Sequence, residues 1–263
     1  MNISDPWLAG QPYDDFMGRW SRLIAHDFMQ WLAPPPGLRW LDLGCGTGAL
    51  SEAILAYVAP TAVLAVDPSE AFIAYARHKI SDARIAFWPG DALHLPADAQ
   101  DIQIVVSGLA LNFIPDPVTA LRTLYQVLQP DGIMALYVWD YGGKMEMLRY
   151  FWDSVVALDP PARVLDEGVR FPICQPDALT QLCAEAGLHH IEVTGLEVTM
   201  MFTDFADYWS PFLSDQGPAP GYVAGLGMAE RTALEEHLRA TLPIGADGSL
   251  NLVARAWAVR ART

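Results

Sequence analysis

Residues 38 to 50, "LRWLDLGCGTGAL", constrain the fold more than any other stretch of the chain. An apolar run breaks into Gly44, Gly46 and Gly48, and a segment rich in alanine and leucine follows. Such a run reads as a buried strand, and the segment after it reads as a helix. A glycine turn between the two leaves backbone N–H groups exposed at a helix start, where they stabilise negative charge. A dinucleotide pyrophosphate and an amino-acid carboxylate both suit that turn. Asp42, two residues before Gly44, separates them. Its carboxylate opposes a pyrophosphate dianion but attracts a ligand that carries an α-ammonium and a sulfonium. The spacing also departs from the dinucleotide fingerprint, because the turn reads G-x-G-x-G and Ala49 stands at the third fingerprint position.

Around this turn, apolar runs alternate with amphipathic segments over residues 38 to 139, the pattern of a parallel sheet covered by helices. Five runs read as strands: 38–43, 62–67, 84–89, 101–108 and 132–139. Segments 48–58, 69–80 and 117–128 read as intervening helices, the last opened by Pro117 and followed by Gly132. Upstream, residues 13 to 32 make an amphipathic helix joined to the sheet by "APPPG", so 13–37 is expected to cover the first turn. Downstream, aromatic-rich helices are expected at about 143–158 and 203–213, and a polar one at about 228–241. Residues 175–187 read as a sheet-packing helix from Pro176 to Gly187, and 189–200 and 251–261 alternate as edge strands do. The expected organisation is one α/β domain over 1–263. Its core is 38–139, its lid insertions are 140–174 and 201–249, and 175–200 with 250–263 complete the sheet.

Composition narrows the partners. A net charge of −15 repels a polyanion, and no lysine and arginine cluster reverses that field locally, so nucleic acid is not an expected partner. No apolar run reaches the roughly 18 residues that span a bilayer, so no membrane association is expected either. The opening "MNISDPWLAGQPYDD" carries acid and proline where an export signal carries a basic patch and an apolar core, and a cytoplasmic location is expected. The three cysteines, Cys45, Cys174 and Cys183, fit no disulfide framework, and the six histidines show no paired-ligand spacing, so no metal is expected.

"LDLGCGTG", followed by "VDPS" and "GDALHLP", resembles the class I S-adenosylmethionine-dependent methyltransferases, in particular the type 11 small-molecule group that includes quinone-biosynthesis enzymes. The resemblance covers residues 38 to 139, with the three elements in order. It implies a Rossmann-like fold: a seven-stranded, mostly parallel sheet with its last strand antiparallel and helices on both faces. It also implies S-adenosylmethionine as methyl donor and S-adenosylhomocysteine as product. Carried over by position, Gly44, Cys45, Gly46 and Gly48 would flank the methionine portion, with Asp42 near its ammonium. Asp67, 19 residues after Gly48, would accept the ribose hydroxyls, and Pro68 would lie against the adenine. In "GDA", Gly90 precedes Asp91, which would accept from the adenine amino group, while the Ala92 backbone would meet the ring. Ser107, Gly108 and Leu109 would line the cofactor at the end of the fourth strand. Relatives of this group often begin with a tyrosine-bearing segment that folds over the cofactor, which makes Tyr13, Arg19, Trp20 and Arg22 candidates to close the site. Either arginine can pair with the methionine carboxylate, and spacing does not choose between them.

The acceptor side is less constrained. Asn112 and Phe113, in "SGLALNFIPDP", would face the transferable methyl or the substrate, and the lack of an N/D-P-P-Y/F motif there counts against nucleobase or glutamine amino groups. Asp140, after the fifth strand, and His26, on the cover helix, are candidate bases, with a turn or helix hydrogen bond as the alternative role for each. Trp139, Tyr141, Trp152, Tyr208 and Trp209 suit a flat or apolar small substrate, although rings at helical spacing also build cores. Methyl transfer from a sulfonium is an in-line displacement helped by alignment and water exclusion, and a base is required only for hydroxyl or acidic carbon nucleophiles. Two other functions fit parts of the pattern. An NAD-dependent oxidoreductase is opposed by Asp42, Ala49 and the placement of its Y-x-x-x-K pair, Tyr75 and Lys79, on the helix after the second strand. A non-catalytic S-adenosylmethionine-binding protein would carry the same binding elements.

Overall fold

Each of the first five apolar runs becomes a strand of one sheet in the computed structural model, which describes residues 13–263 apart from 98, 215 and 216. The strands are β1 (Arg39–Leu43), β2 (Ala62–Asp67), β3 (Ile85–Pro89), β4 (Ile102–Gly108), β5 (Leu128–Trp139), β6 (His189–Phe202) and β7 (Leu250–Arg262). Their order is β3-β2-β1-β4-β5-β7-β6, with β1 to β5 parallel and β7 antiparallel to both β5 and β6. Helices cover both faces, so β1 and β4 are buried almost throughout, as central parallel strands must be. The chain leaves β1 for one side and returns at β4 on the other. That reversal opens a crevice at the strands' carboxyl ends.

Helices α1 (Arg19–Leu32), α2 (Ala49–Tyr57), α3 (Glu70–Lys79) and α4 (Pro117–Val127) frame the parallel half. Side chains close two of their open N-termini: Ser69 Oγ accepts from Phe72 N–H, and Asp116 accepts from Thr119 N–H beside Pro117. The N-terminal segment departs from a uniform helix, since Asp14–Gly18 form a π-helical turn before α1. Helix α1 stops at Ala33, which adopts a left-handed φ of 42°, because the proline that follows disfavours helical backbone there.

Other boundaries also move. Strand β5 starts at Leu128 instead of residue 132, and because Leu128 pairs with Ile102 and Ile133 with Ile104, the intervening residues bulge from the strand. The helix expected at 203–213 is two pieces, α8 (Phe205–Trp209) and a tighter turn, Ser210–Leu213, since Pro211 has no N–H for a continuing helix. The rest of the second half contains α5 (Glu146–Leu158), α6 (Glu167–Arg170), α7 (Pro176–Glu185), α9 (Pro218–Gly225) and α10 (Met228–Thr241). Helices α6 and α9 have no counterpart in the sequence reading, because short segments carry too little periodicity to register. None of the described helices is long and apolar enough to cross a membrane.

Aromatic side chains weld the two insertions together. Phe151 of α5 stacks on Phe212 with ring centroids 4.5 Å apart, and Tyr208 donates its hydroxyl hydrogen to the Met147 carbonyl at 2.9 Å. Trp20 of α1 packs 5.1 Å from Phe202 of β6, which joins the cover helix to the same cluster. Phe151→Ala should therefore cost about 3 to 5 kcal/mol of folding stability. Denaturant unfolding checks it, and a midpoint unchanged from wild type would contradict this core assignment.

Candidate functional site

A cleft of about 600 Å³ lies at the carboxyl edge of β1, β2 and β4. Its floor is the glycine turn, held in place by backbone hydrogen bonds. Gly44 N–H and Cys45 N–H both donate to the Val66 carbonyl, at 2.7 and 3.0 Å, and Gly48 N–H donates to the Cys45 carbonyl. Gly44 has φ +71°, and a Cβ there would stand 2.4 Å from the Ala110 Cβ. Gly46 also has positive φ, but a Cβ on it would meet nothing within 4 Å. The first glycine is thus set by close packing, and the second faces open space at the ligand side.

Two buried carboxyls meet this turn. Asp42 Oδ2 accepts from Ser51 Oγ at 2.6 Å, whereas Oδ1 is buried with no hydrogen-bond partner among the described residues. Burial pushes the Asp42 carboxyl up to about 7, the Ser51 hydroxyl pulling against it and the Asp67 charge adding to it. Asp67, at the end of β2, accepts from Gly46 N–H at 2.9 Å and from Ser69 N–H at 2.8 Å. Burial raises its carboxyl too, against those two backbone donors. A carboxylate has about four acceptor positions, so two backbone donors leave Asp67 capacity for a ligand's hydroxyls.

Most of the residues carried over from the resemblance converge here. Tyr13, Asp42, Gly44, Cys45, Gly46, Asp67, Pro68, Asp91, Ala92, Gly108, Leu109 and Phe113 all line the cleft. Gly48 and Gly90 shape it without lining it: Gly48 caps α2 at φ +90°, and Gly90 N–H donates to the Asp67 carbonyl at 3.0 Å. Asp91 accepts from Leu93 N–H and His94 N–H at 2.8 and 3.0 Å, so it organises its own turn as well as facing the cleft. Ser107 is buried beneath Gly44. Asn112 sits in a short helical turn, both ends of its amide buried without a partner among the described residues.

Other candidates lie elsewhere. Arg19 reaches Asp207 at 3.4 Å and lies over the Trp20 ring, while Arg22 pairs with Asp14 at 2.6 Å, so neither arginine lines the cleft. Trp20 is a core residue against Phe202. His26 is part-exposed on α1, in contact with Asp27 and Gln30 and edge-on to Tyr57. Asp140 is buried under Arg255, whose Nε and terminal nitrogen donate to it at 2.9 and 2.6 Å, and it also accepts from Lys144 N–H. That pairing joins the end of β5 to β7, and all three donors fall on Oδ2. Trp152, Tyr208 and Trp209 are buried among the insertion helices, while Trp139 and Tyr141 border a small recess beside the cleft.

Sequence reasoning missed several wall residues. Asp14 accepts from Thr47 Oγ1 at 2.7 Å and from Tyr75 Oη at 3.3 Å, which clamps the N-terminal segment to the glycine turn. Phe72, Tyr137 and the Ile114–Pro115–Asp116 stretch complete the cleft. The acid in "YDDF" was the available signal for Asp14. Tyr137 carried none, because in the sequence it is one more apolar residue of β5.

A seven-stranded sheet of this order, with an antiparallel seventh strand and a ligand cleft at its reversal point, is the class I methyltransferase fold. Residues 41–136 match the family model described as a methyltransferase domain. Among curated relatives, the chain is 38% identical over 125 residues to a demethylmenaquinone methyltransferase of Lactobacillus johnsonii, covering 46% of this chain and 51% of that protein. The chain thus spans about half the length of that relative. It is 29% identical to a ubiquinone biosynthesis O-methyltransferase of Dinoroseobacter shibae, over 77% of this chain and 79% of that one. Among solved structures, a Haemonchus contortus phosphoethanolamine N-methyltransferase 2 in complex with S-adenosyl-L-methionine superposes with a TM-score of 0.58 at 16% identity, covering 96% of this chain and 57% of that one.

The Asp42 geometry makes a pH prediction. An Asp raised from 3.8 to about 7 in the folded state binds its proton more tightly there than in the unfolded chain. Its contribution to stability is full below pH 3.8 and is lost as pH rises towards about 7. The stability of the ligand-free wild type relative to Asp42→Asn should therefore fall across that window. Urea unfolding at several pH values measures it, and a pH-independent difference would contradict the assignment.

Proposed function

We propose that this chain transfers a methyl group from S-adenosylmethionine to a small, flat and largely apolar molecule, releasing S-adenosylhomocysteine. One observation carries the reading: the unpartnered buried oxygen of Asp42, set beside a positive-φ glycine turn and within the field of Asp67. An isolated buried carboxyl of this kind is costly, and a cation beside it removes the cost. A ligand with an α-ammonium and a sulfonium supplies that cation, whereas a pyrophosphate would add to the repulsion. The donor set in the cleft therefore fits S-adenosylmethionine.

In this reading Asp42 receives the ammonium, and the Gly44–Gly46–Gly48 turn, with Cys45, leaves room for the methionine portion. Asp67 accepts the ribose hydroxyls, Pro68 and Phe72 flank the adenine, and Asp91 with Ala92 meets its edge. Gly108 and Leu109 form the wall, with Ser107 and Asn112 buried behind it, from which Phe113 turns towards the acceptor. Tyr13, brought over the cleft by the Asp14 clamp, excludes water from one side. The bound donor supplies an already activated methyl group on sulfur. What remains for the protein is to align an acceptor and keep the site dry, effects that contribute several kcal/mol to such displacements. The whole of 1–263 is read as one methyltransferase domain in which 140–174 and 201–249 overhang the acceptor side.

Relatives that cover about four fifths of their own length, such as the ubiquinone biosynthesis O-methyltransferase, support a small-molecule acceptor. Incubation with isotope-labelled S-adenosylmethionine and a metabolite extract tests the proposal, with a labelled small-molecule product as the expected outcome. Binding without any labelled product would instead indicate a non-catalytic binding protein. Asp67→Ala should weaken S-adenosylhomocysteine binding about ten- to hundredfold, the loss of hydrogen bonds to a charged group. Calorimetric titration measures this, and an unchanged affinity in a folded variant would remove the ribose assignment.

A further inference from the structure

Beside the cleft lies a second, smaller space whose chemistry differs from that of the glycine turn. It is a recess of about 30 Å³ that shares Tyr13, Leu109 and Phe113 with the cleft. Phe16, Met17, Trp139, Tyr141 and Leu148 make most of its remaining wall. The one carboxyl that borders it is Glu167, 4% exposed at the start of α6, with Trp152 Nε1–H donating to its Oε2. Nothing in the sequence singled this residue out.

Burial pushes the Glu167 carboxyl up to about 7, against the pull of its own backbone N–H and the Trp152 indole. Of the charged groups that face it, Asp166 raises it further and Arg170 lowers it, while Arg149 is engaged with Asp166 at 2.6 and 3.0 Å. A carboxyl with these surroundings is costly to bury, and no ion pair holds it among the described residues. It is, however, poised to gain or lose a proton near neutrality, as a proton acceptor in a reaction must be.

We propose that Glu167 recognises the methyl acceptor and takes the proton that its nucleophile loses, and that the acceptor is a flat molecule bearing a phenol-type hydroxyl. This rests on the methyl-transfer reading above. A space of about 30 Å³ admits a hydroxyl and its carbon but no ring. The ring would stay on the cleft side, against Phe113, which packs edge-on to Phe171 at 5.2 Å. In the step, the acceptor O–H bond breaks and its proton goes to a Glu167 carboxylate oxygen. The oxygen's electron pair forms the new O–CH3 bond, and the pair of the broken C–S bond stays on sulfur, which becomes neutral. An amine fits this pocket less well, because a buried carboxylate stabilises the ammonium form, which has no lone pair to attack.

The test uses the full chain with S-adenosylhomocysteine, 1-naphthol and 1-methoxynaphthalene, read by calorimetry and tryptophan fluorescence. S-adenosylhomocysteine is titrated first, and its failure to bind the wild type would refute the methyl-transfer reading itself. With that ligand saturating, the wild type should bind 1-naphthol about tenfold or more tightly than 1-methoxynaphthalene, since only the first donates to a carboxylate. Glu167→Gln keeps a carbonyl for the Trp152 hydrogen, so it should retain S-adenosylhomocysteine affinity and lose the naphthol preference. Its kcat for labelled methyl transfer to 1-naphthol should fall about a hundredfold. If Glu167→Gln fails to fold, Glu167→Asp decides, with the preference reduced but S-adenosylhomocysteine binding kept. Equal wild-type affinity for the two naphthalenes, binding of neither, or an unaltered preference in a folded variant would overturn the proposal while leaving the donor site intact.

Discussion

The Val66 carbonyl, accepting from Gly44 N–H at 2.7 Å and Cys45 N–H at 3.0 Å, is the interaction on which the cleft depends. It pins the turn after β1 to the end of β2, and that brings Gly46 N–H within 2.9 Å of Asp67. The turn can take this path only because its glycines adopt positive φ and because no Cβ stands between Gly44 and Ala110. A strand order that reverses between β1 and β4 then leaves the space above the turn unfilled by helices. Local backbone freedom and global topology are both required. Neither by itself makes a site.

The electrostatics of the cleft run against ordinary folding economy. The charge of Asp67 disfavours ionisation of Asp42, and both carboxyls are withdrawn from water. Two other buried acids are neutralised within the chain: Asp140 has Arg255, and Asp166 has Arg149. Among the described residues, Asp42 and Asp67 receive hydroxyl and backbone donors and no cation. That contrast between paired and unpaired buried carboxyls distinguishes a structural acid from a binding one more sharply than burial alone.

Aromatic residues divide in a similar way. The rings of α5, α8 and the turn after α8 stack on one another and on β6, which gives the second half a core continuous with the sheet. Trp139, Tyr141 and Phe113 instead border open space, at the recess. The insertions therefore act as a wall first. Glu167 is among the few side chains of the insertions that reach the recess.

The seven strands, their parallel start and the glycine turn were legible in the sequence because each rests on local rules: apolar runs, turn residues and helix ends. The acidic positions of the cleft were legible for the same reason, since each terminates a strand or occupies a turn. Asp140 and, less strongly, His26 looked suited to chemistry, but partners distant in sequence decide their surroundings: Arg255 lies 115 positions from Asp140, and Tyr57 stacks edge-on to His26. Glu167 carried no local signal, because its setting is built from Trp152, Trp139 and the N-terminal segment. The sequence by itself determined the strand-turn-helix units and the chemical character of the donor site. Which carboxyls are paired, which rings are core and which polar atoms stay buried without a partner was decided only by tertiary structure, because pairing and burial depend on segments that meet in space.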